Sequence, residues 1–385
     1  MQSLPSSPNF SLSSDTDLGA CLALQRLPGL GAGRLLRLLE IFHQPRQILS
    51  QPPQRLAELM PEEARQVLMD YQTRGADSAL GQRVEQDLEW LARNPDVTPI
   101  ALDHPGYPGL LKEIPRPPVL LYVRGNIECL ELPQLAIVGS RTPSAGGRDN
   151  AFAFARDLAS HGFAITSGLA LGVDGAAHAG ALAGGGKTLA VFGTGIDSVY
   201  PGRHKQLAEQ ILAEGGALIS EFPLDTRSMA ANFPQRNRLI SGLSLGTLVV
   251  EAAPQSGSLI TARLALQQNR EVFAIPGSIH NPLARGCHSL IRQGATLVEC
   301  AQDIVDQLGG LLTFKREQLA QPPKSLPDLD ADEQQLIKAL GHDPCPFDQL
   351  AERSGLDASR LAELLVTLEL RGLISNTASG YEICL

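Results

Sequence analysis

Leu135-Ala136-Ile137-Val138-Gly139-Ser140-Arg141 is the stretch on which the reading of this chain turns. A short apolar run stops abruptly at a glycine, a hydroxyl and an arginine. Pro143, Gly146 and Gly147 follow, then a helix-forming segment over Arg148–His161. An apolar strand, a glycine turn and a helix start make a natural anion site, because the first turn of a helix presents free N–H groups and partial positive charge. Arg141 adds a planar cation suited to phosphate. The turn is not the G-x-G-x-x-G of a dinucleotide site, and many strand-to-helix turns carry Gly and Ser for geometry alone.

The residues that follow repeat the pattern. Candidate strands are Leu135–Val138, Ala164–Thr166, Thr188–Phe192, Ala217–Ser220, Gly246–Val250, Glu271–Ala274 and Ala295–Val298. Helix-forming segments lie between them: Arg148–His161, Asp174–Leu182, His204–Ala213, Leu259–Gln268 and Cys287–Gln293. This alternation predicts an α/β fold, a Rossmann-like doubly wound and mainly parallel sheet over residues 97–312. In such sheets ligands bind at the carboxyl ends of the strands. The loops there carry Gly139, Ser140 and Arg141, then Ser167 and Gly168, then Phe233, Arg236, Asn237 and Arg238, then Ser256, Gly257 and Ser258. Glycine and hydroxyl residues let backbone N–H groups approach an anion closely. The same rim is expected to gather Arg141, Lys187, Arg203, Lys205, Arg236 and Arg238, a composition suited to a phosphodiester backbone. Arg236 and Arg238 cannot share one helical face, so one is expected on phosphate and the other in an internal ion pair. Phe233 is the base-stacking candidate.

Outside this core, Asp17–Met69 has leucines at helical spacing around Leu27-Pro28-Gly29-Leu30-Gly31-Ala32-Gly33, which predicts a helix-hairpin-helix within a SAM-like helical domain over residues 17–94. Residues 1–16, with no Lys or Arg, read as a disordered tail. Residues 313–330 read as a polar linker, and 331–385 as three helices and a small hairpin in winged-helix order. Net charge is −9 over 385 residues, with 43% hydrophobic residues. By segment it is −4 for residues 1–133, +2 for 134–300 and −7 for 301–385. The balance favours an anionic partner for the sheet domain and a structural or protein-contact role for the acidic C-terminal segment. No apolar run approaches the ~20 residues that span a bilayer, so a cytoplasmic protein without membrane contact is expected. Six cysteines form no C-x-x-C pair, and neither metal nor cofactor is expected.

Asp174 and His178 lie four apart on one helical face. A helix N-cap and a hydrogen-bonded histidine explain them more simply than acid–base chemistry. No nucleophile–base–orienter set emerges, and no enzyme activity is expected. The alternative is a phosphoribohydrolase-like enzyme on a related sheet, from Gly246-Thr247-x-x-x-Glu251, although the spacing is one residue off and a glycine pair is missing. A scaffold acting through its terminal domains is a third class.

Residues 134–300 resemble the DNA-processing protein A (DprA, also called Smf) family. The resemblance rests on Ile-Val-Gly-Ser-Arg at 137–141, Ser-Gly-Leu-Ala-x-Gly-x-Asp from 167 and Lys187-Thr188 through Gly-Thr-Gly-Ile-Asp197. It continues through Tyr200-Pro201, Phe233-Pro234-x-Arg-Asn-Arg-x-Ile-Ser-Gly-Leu-Ser, Val249-Val250-Glu251-Ala252, Ser256-Gly257-Ser258-Leu-Ile-Thr-Ala and Ile275-Pro276-Gly277. The resemblance implies a cytosolic protein that binds and protects single-stranded DNA, loads RecA recombinase in natural transformation and forms a homodimer through the Rossmann-like domain. It also implies that Arg141, Lys187, Phe233, Arg236, Asn237 and Arg238 line or support the DNA pocket. Some members carry a basic residue just before Phe-Pro-x-Arg-Asn-Arg, where this chain has Met229-Ala230-Ala231-Asn232.

Overall fold

The computed structural model describes residues 17–309, 330–340, 345–370, 373–377 and 380–383. The expected N-terminal tail and most of the expected linker lie outside the described residues. The chain divides into two units, Met1–Gly310 and Leu311–Leu385.

In the first unit, helices α1 (Asp17–Arg26), α2 (Ala32–Phe42), α3 (Pro45–Leu49), α4 (Glu62–Arg74) and α5 (Ala79–Arg93) precede the sheet. Strands β1 (Val97–Ala101) and β2 (Leu120–Gly125) flank the short helix α6 (Gly109–Lys112). Then come β3 (Gln134–Val138), α7 (Ala145–Ser160), β4 (Ala164–Ser167), α8 (Val173–Ala183), β5 (Thr188–Val191), α9 (Lys205–Ala213) and β6 (Ala217–Ser220). The unit closes with α10 (Asn232–Leu243), β7 (Gly246–Val249), α11 (Gly257–Gln267), β8 (Glu271–Ala274), α12 (Arg285–Arg292), β9 (Thr296–Leu297) and a helix α13 over 301–309.

The nine-stranded sheet runs β1-β2-β6-β5-β4-β3-β7-β8-β9. From β6 to β9 in that order every pairing is parallel, while β2 runs antiparallel to both β6 and β1. The run β5-β4-β3-β7-β8-β9 is the doubly wound order, in which successive strands leave β3 to one side and then to the other. The crevice at that reversal, between the ends of β3 and β7, is where this class of sheet takes ligands. All five residues of β3 are buried, as a strand covered on both faces requires.

Strand periodicity separates two cores. Leu120, Tyr122, Ala190 and Phe192 pack with the N-terminal helices, through Leu22, Leu24, Leu38 and Leu88. Their chain neighbours Leu121, Val123, Leu189 and Val191 face the other way, against Leu239, Ile240 and Leu243 of α10 and Ala262 of α11. The boundary expected at residue 94 lies inside the first of the two units. Polar contacts add to this join. Gln25 Nε2 donates to the Glu221 carbonyl at 2.6 Å, and the Tyr122 hydroxyl donates to Gln25 Oε1 at 2.8 Å. Arg26 pairs with buried Asp87 and donates to the Leu224 carbonyl at 3.3 Å.

The α1–α2 turn has the expected hairpin, with Gly29 at φ 69° in the left-handed region. Arg34 donates to the Gly29 carbonyl at 2.9 Å and closes that turn.

The second unit contains α14 (Ala331–Leu340), α15 (Phe347–Ser354), α16 (Ala358–Leu370) and the hairpin β10 (Ile374–Thr377) and β11 (Gly380–Ile383). Leu336, Leu350, Leu361, Leu365 and Leu368 form its core. Cys345 and Tyr381 exchange backbone hydrogen bonds at 2.8 and 2.9 Å, adding a third edge to the wing. This is the winged-helix order the sequence predicts.

Candidate nucleic-acid interface

The turn after β3 is held from inside. Ser140 N–H donates to the Glu251 carbonyl at 2.8 Å, and its own carbonyl accepts from Val173 N–H at 3.1 Å. A Cβ on Gly139 would press on Val173 and on the Glu251 carbonyl, so only glycine lets the turn lie this close to β7. Gly139 and Ser140 thus shape the turn. Arg141 leaves it exposed to solvent.

The N-terminus of α7 is the anion site implied by the sequence, and the protein fills it itself. Ser144 is the N-cap, its hydroxyl oxygen accepting from Gly147 N–H at 3.0 Å. Glu251, only 7% exposed, lies against it: Oε2 accepts Ser144 N–H at 2.8 Å, and Oε1 accepts the Ser144 hydroxyl at 2.6 Å and Asn281 Nδ2 at 3.1 Å. A carboxylate therefore stands where a dinucleotide fold would place its pyrophosphate. The cavity alongside, about 150 Å³, is lined by Ser144, Gly147, Glu251, Ile275 and Asn281 among others. Sequence reasoning missed the Ser144–Glu251 cap. Its local half was legible, since a serine three residues before Gly147 at a helix start is an N-cap pattern. The Glu251 half joins residues 107 apart.

Beside the turn, Phe233 near the start of α10 is partly buried and carries guanidinium groups. The Arg141 guanidinium carbon lies 5.4 Å from the ring centroid and that of Arg236 lies 5.9 Å away, both within cation–π range. Tyr200, in the loop after β5, meets Phe233 with ring centroids 5.7 Å apart and a 41° tilt. Asn237 Nδ2 reaches the Gly257 carbonyl at 3.4 Å, bringing the starts of α10 and α11 together. At that second start Ser256 is the N-cap, accepting from Ser258 N–H at 3.3 Å, with Gly257 exposed.

Four expectations are corrected. Lys187 does not join this edge. It immediately precedes β5 in a parallel sheet, which places it at the opposite, amino end, where Nζ donates to the Glu214 carbonyl just beyond α9 at 2.6 Å. Neither arginine of the Arg-Asn-Arg run is free for phosphate. Arg236 is 4% exposed and donates to the carbonyls of Gly168 and Val191, and Arg238 is 6% exposed and pairs with buried Glu221. Arg238 thus makes the internal ion pair expected of one of the two, but Arg236 is held inside as well. Ser167 and Gly168 are buried as well. The Ser167 hydroxyl donates to the Ile137 carbonyl at 2.6 Å, and Gly168 holds Arg236 and Asp174. Asp174 does not cap α8, whose N-cap is Gly172; its Oδ2 accepts Gly168 and Ala170 N–H at 3.1 and 3.3 Å, bracing the loop before it.

Burial sets the electrostatics beneath the edge. It pushes Arg236 down to about 10, with Arg141 adding to the effect and Asp174 opposing it, so Arg236 keeps its charge at neutral pH. Desolvation raises Asp174 and Glu221, against the pull of their arginines. His178 is wholly buried and pushed down to about 3, mainly by burial and further by His204 and Arg236. Its Nδ1 lies 2.7 Å from Thr188 Oγ1, whose own proton goes to the Ile165 carbonyl. Nδ1 is therefore the donor, and Nε2 is an unprotonated nitrogen without a partner among the described residues. Among the described residues no group of His, Cys, Asp and Glu could hold a metal, and no helix is long and apolar enough to cross a membrane.

Fold and edge together define a class: a doubly wound sheet whose internal phosphate station is closed by its own glutamate, and whose outer carboxyl edge presents an arginine and aromatic rings. Residues 98–309 match the family described as DNA recombination-mediator protein A, and residues 320–380 match the DprA winged helix domain. Protein Smf of Escherichia coli (strain K12) is 43% identical over 304 residues, 77% of this chain and 80% of that protein. The DNA processing protein A structure from Streptococcus pneumoniae aligns with a TM-score of 0.64 and 34% identity, over 76% of this chain and 97% of that one. The DNA processing protein A of Helicobacter pylori, described with a unique single-stranded DNA binding mode, aligns with a TM-score of 0.50 and 29% identity, over 55% and 95%. The chain belongs to the DNA recombination-mediator protein A family.

Proposed function

We propose that this chain binds single-stranded DNA along the carboxyl edge of its sheet and passes it to RecA recombinase during natural transformation, acting as a homodimer through the sheet domain. One observation carries the reading: Arg141, exposed, lies over the ring of Phe233, with Tyr200 against the same ring. A cation for phosphate beside aromatic rings for bases is the combination a single strand needs, since its bases are free to stack. The exposed Arg203, in the loop that carries Tyr200, and the exposed Lys205, the first residue of α9, extend the positive edge. The Helicobacter pylori relative's single-strand binding supports the same ligand class.

The phosphoribohydrolase alternative is disfavoured by Glu251. The carboxylate such an enzyme would use is engaged through both oxygens by Ser144 and Asn281.

The test is binding of single- and double-stranded oligonucleotides across a salt series, followed by RecA assembly on protein-coated single strands with and without this chain. Single-strand preference with a steep salt dependence is expected. Equal affinity for duplex overturns the DNA reading, and unaltered RecA assembly overturns the mediator step.

A further inference from the structure

We infer that Tyr200, rather than Phe233, is the ring on which a nucleobase stacks, with Phe233 as the support beneath it. This rests on the single-strand reading above and assigns one base subsite within it. Phe233 is partly buried and its surroundings are occupied: guanidinium carbons of Arg141 and Arg236 lie 5.4 and 5.9 Å from its centroid. A Cβ on Gly193 would come within 3.0 Å of the ring, so the backbone after β5 runs close against it. A base reaching Phe233 has to displace one of these neighbours.

Tyr200 stands differently. It is 47% exposed, although a tyrosine ring has much apolar area to bury. It is anchored on Phe233 at 5.7 Å and tilted 41°, so the contact uses only part of its surface. It sits in the loop after β5, at the carboxyl edge, and Arg141 approaches the same Phe233 from the turn after β3. The arrangement is layered. Buried Arg236 holds the Gly168 and Val191 carbonyls below, Phe233 rests on it, and Tyr200 and Arg141 are the outward members. A base stacked on Tyr200 would place its own phosphate within the field of Arg141, so base and backbone are recognised by neighbouring side chains. Stacking of this kind takes any base, which suits a protein that must accept any sequence.

The experiment compares full-length wild type, Tyr200→Ala, Tyr200→Phe and Arg141→Ala on oligo(dT) and on an abasic oligonucleotide of equal length, at fixed salt. Tyr200→Ala should lose roughly five- to tenfold affinity for oligo(dT) and nothing on the abasic strand. Tyr200→Phe should restore oligo(dT) binding, because the ring and not the hydroxyl does the stacking. Equal losses on both strands would mean that Tyr200 only positions Arg141, and would overturn the subsite. So would an unchanged Tyr200→Ala, or a Tyr200→Phe as weak as the alanine variant. In each of those cases Arg141→Ala still reports separately on the single-strand reading. If wild type binds neither oligonucleotide at low salt, that reading fails, and the subsite fails with it.

Discussion

The Glu251 carboxylate lies on Ser144, accepting its N–H at 2.8 Å and its hydroxyl at 2.6 Å, and so caps α7 from across the β3–β7 crevice. Charge-assisted bonds of this kind are stronger than neutral ones, and a carboxylate at a helix N-terminus also meets the favourable end of the dipole. The cap ties the loop after β7 to the start of α7 and fills the pocket that related sheets reserve for phosphate.

Glu251→Gln should therefore cost about 1–3 kcal/mol of stability, because an amide NH₂ placed against Ser144 leaves a donor facing a donor. Chemical denaturation of the full chain measures it. A variant as stable as wild type would show that the cap is incidental.

Gly147 and Gly146 provide a contrast within one helical turn. A Cβ on Gly147 would collide with the Glu251 carboxyl, whereas a Cβ on Gly146 meets nothing closer than Ser144 Oγ at 4.0 Å. Gly147→Ala should destabilise by ~1–3 kcal/mol through overpacking. Gly146→Ala should stabilise by roughly 0.5–1 kcal/mol through helix propensity. Melting curves of the two variants decide it, and a reversed order would contradict the packing described.

Arg141 and Lys187 separate in the same way for DNA. Arg141→Ala should weaken single-strand binding and reduce the salt slope by about one. Lys187→Ala should leave both unchanged, because its ammonium group serves the Glu214 carbonyl at the amino end of the sheet. A loss in Lys187→Ala equal to that in Arg141→Ala would place the DNA elsewhere than the carboxyl edge.

Arg238 and Glu221 form a buried pair with little solvent to replace a lost partner. Arg238→Ala should cost about 3–5 kcal/mol by leaving the Glu221 charge buried and uncompensated. Arg238→Met with Glu221→Met, which removes both charges, should recover much of that loss. Denaturation of the single and double variants tests it; a double variant as unstable as the single would mean that packing, not charge, is at stake.

His178 predicts a pH dependence whose sign follows from its depressed value of about 3 against an ordinary 6.5. A histidine kept neutral in the fold but free to charge when unfolded contributes stability that is complete above about 6.5. That contribution is lost as pH falls toward 3, by up to about 1.4 kcal/mol per pH unit. His178→Gln should flatten this acid-side slope relative to wild type. Identical slopes would show that the acid-side loss does not come from His178; the raised carboxyls of Asp174 and Glu221 act with the opposite sign, because the fold binds their protons more readily than the unfolded chain does.

The amino-acid sequence alone determined the doubly wound sheet, because apolar four- and five-residue runs alternate with helix-length segments, and that period has few other solutions. It also determined the wing-bearing C-terminal order, the hairpin at Gly29 and the importance of the turn at Gly139-Ser140-Arg141, since glycine placement and periodicity are local properties. The tertiary structure decided which cations face outward. Lys187, Arg236 and Arg238 are as basic as Arg141 in the sequence, yet one lies at the other end of its strand and two are buried. It decided as well that Glu251 would occupy the start of α7 and that Tyr200 would stand on Phe233. These relationships join residues from loops far apart in the chain. A charge or a ring shows its type in the sequence, but its direction and its partner exist only once the sheet has brought those loops to one edge.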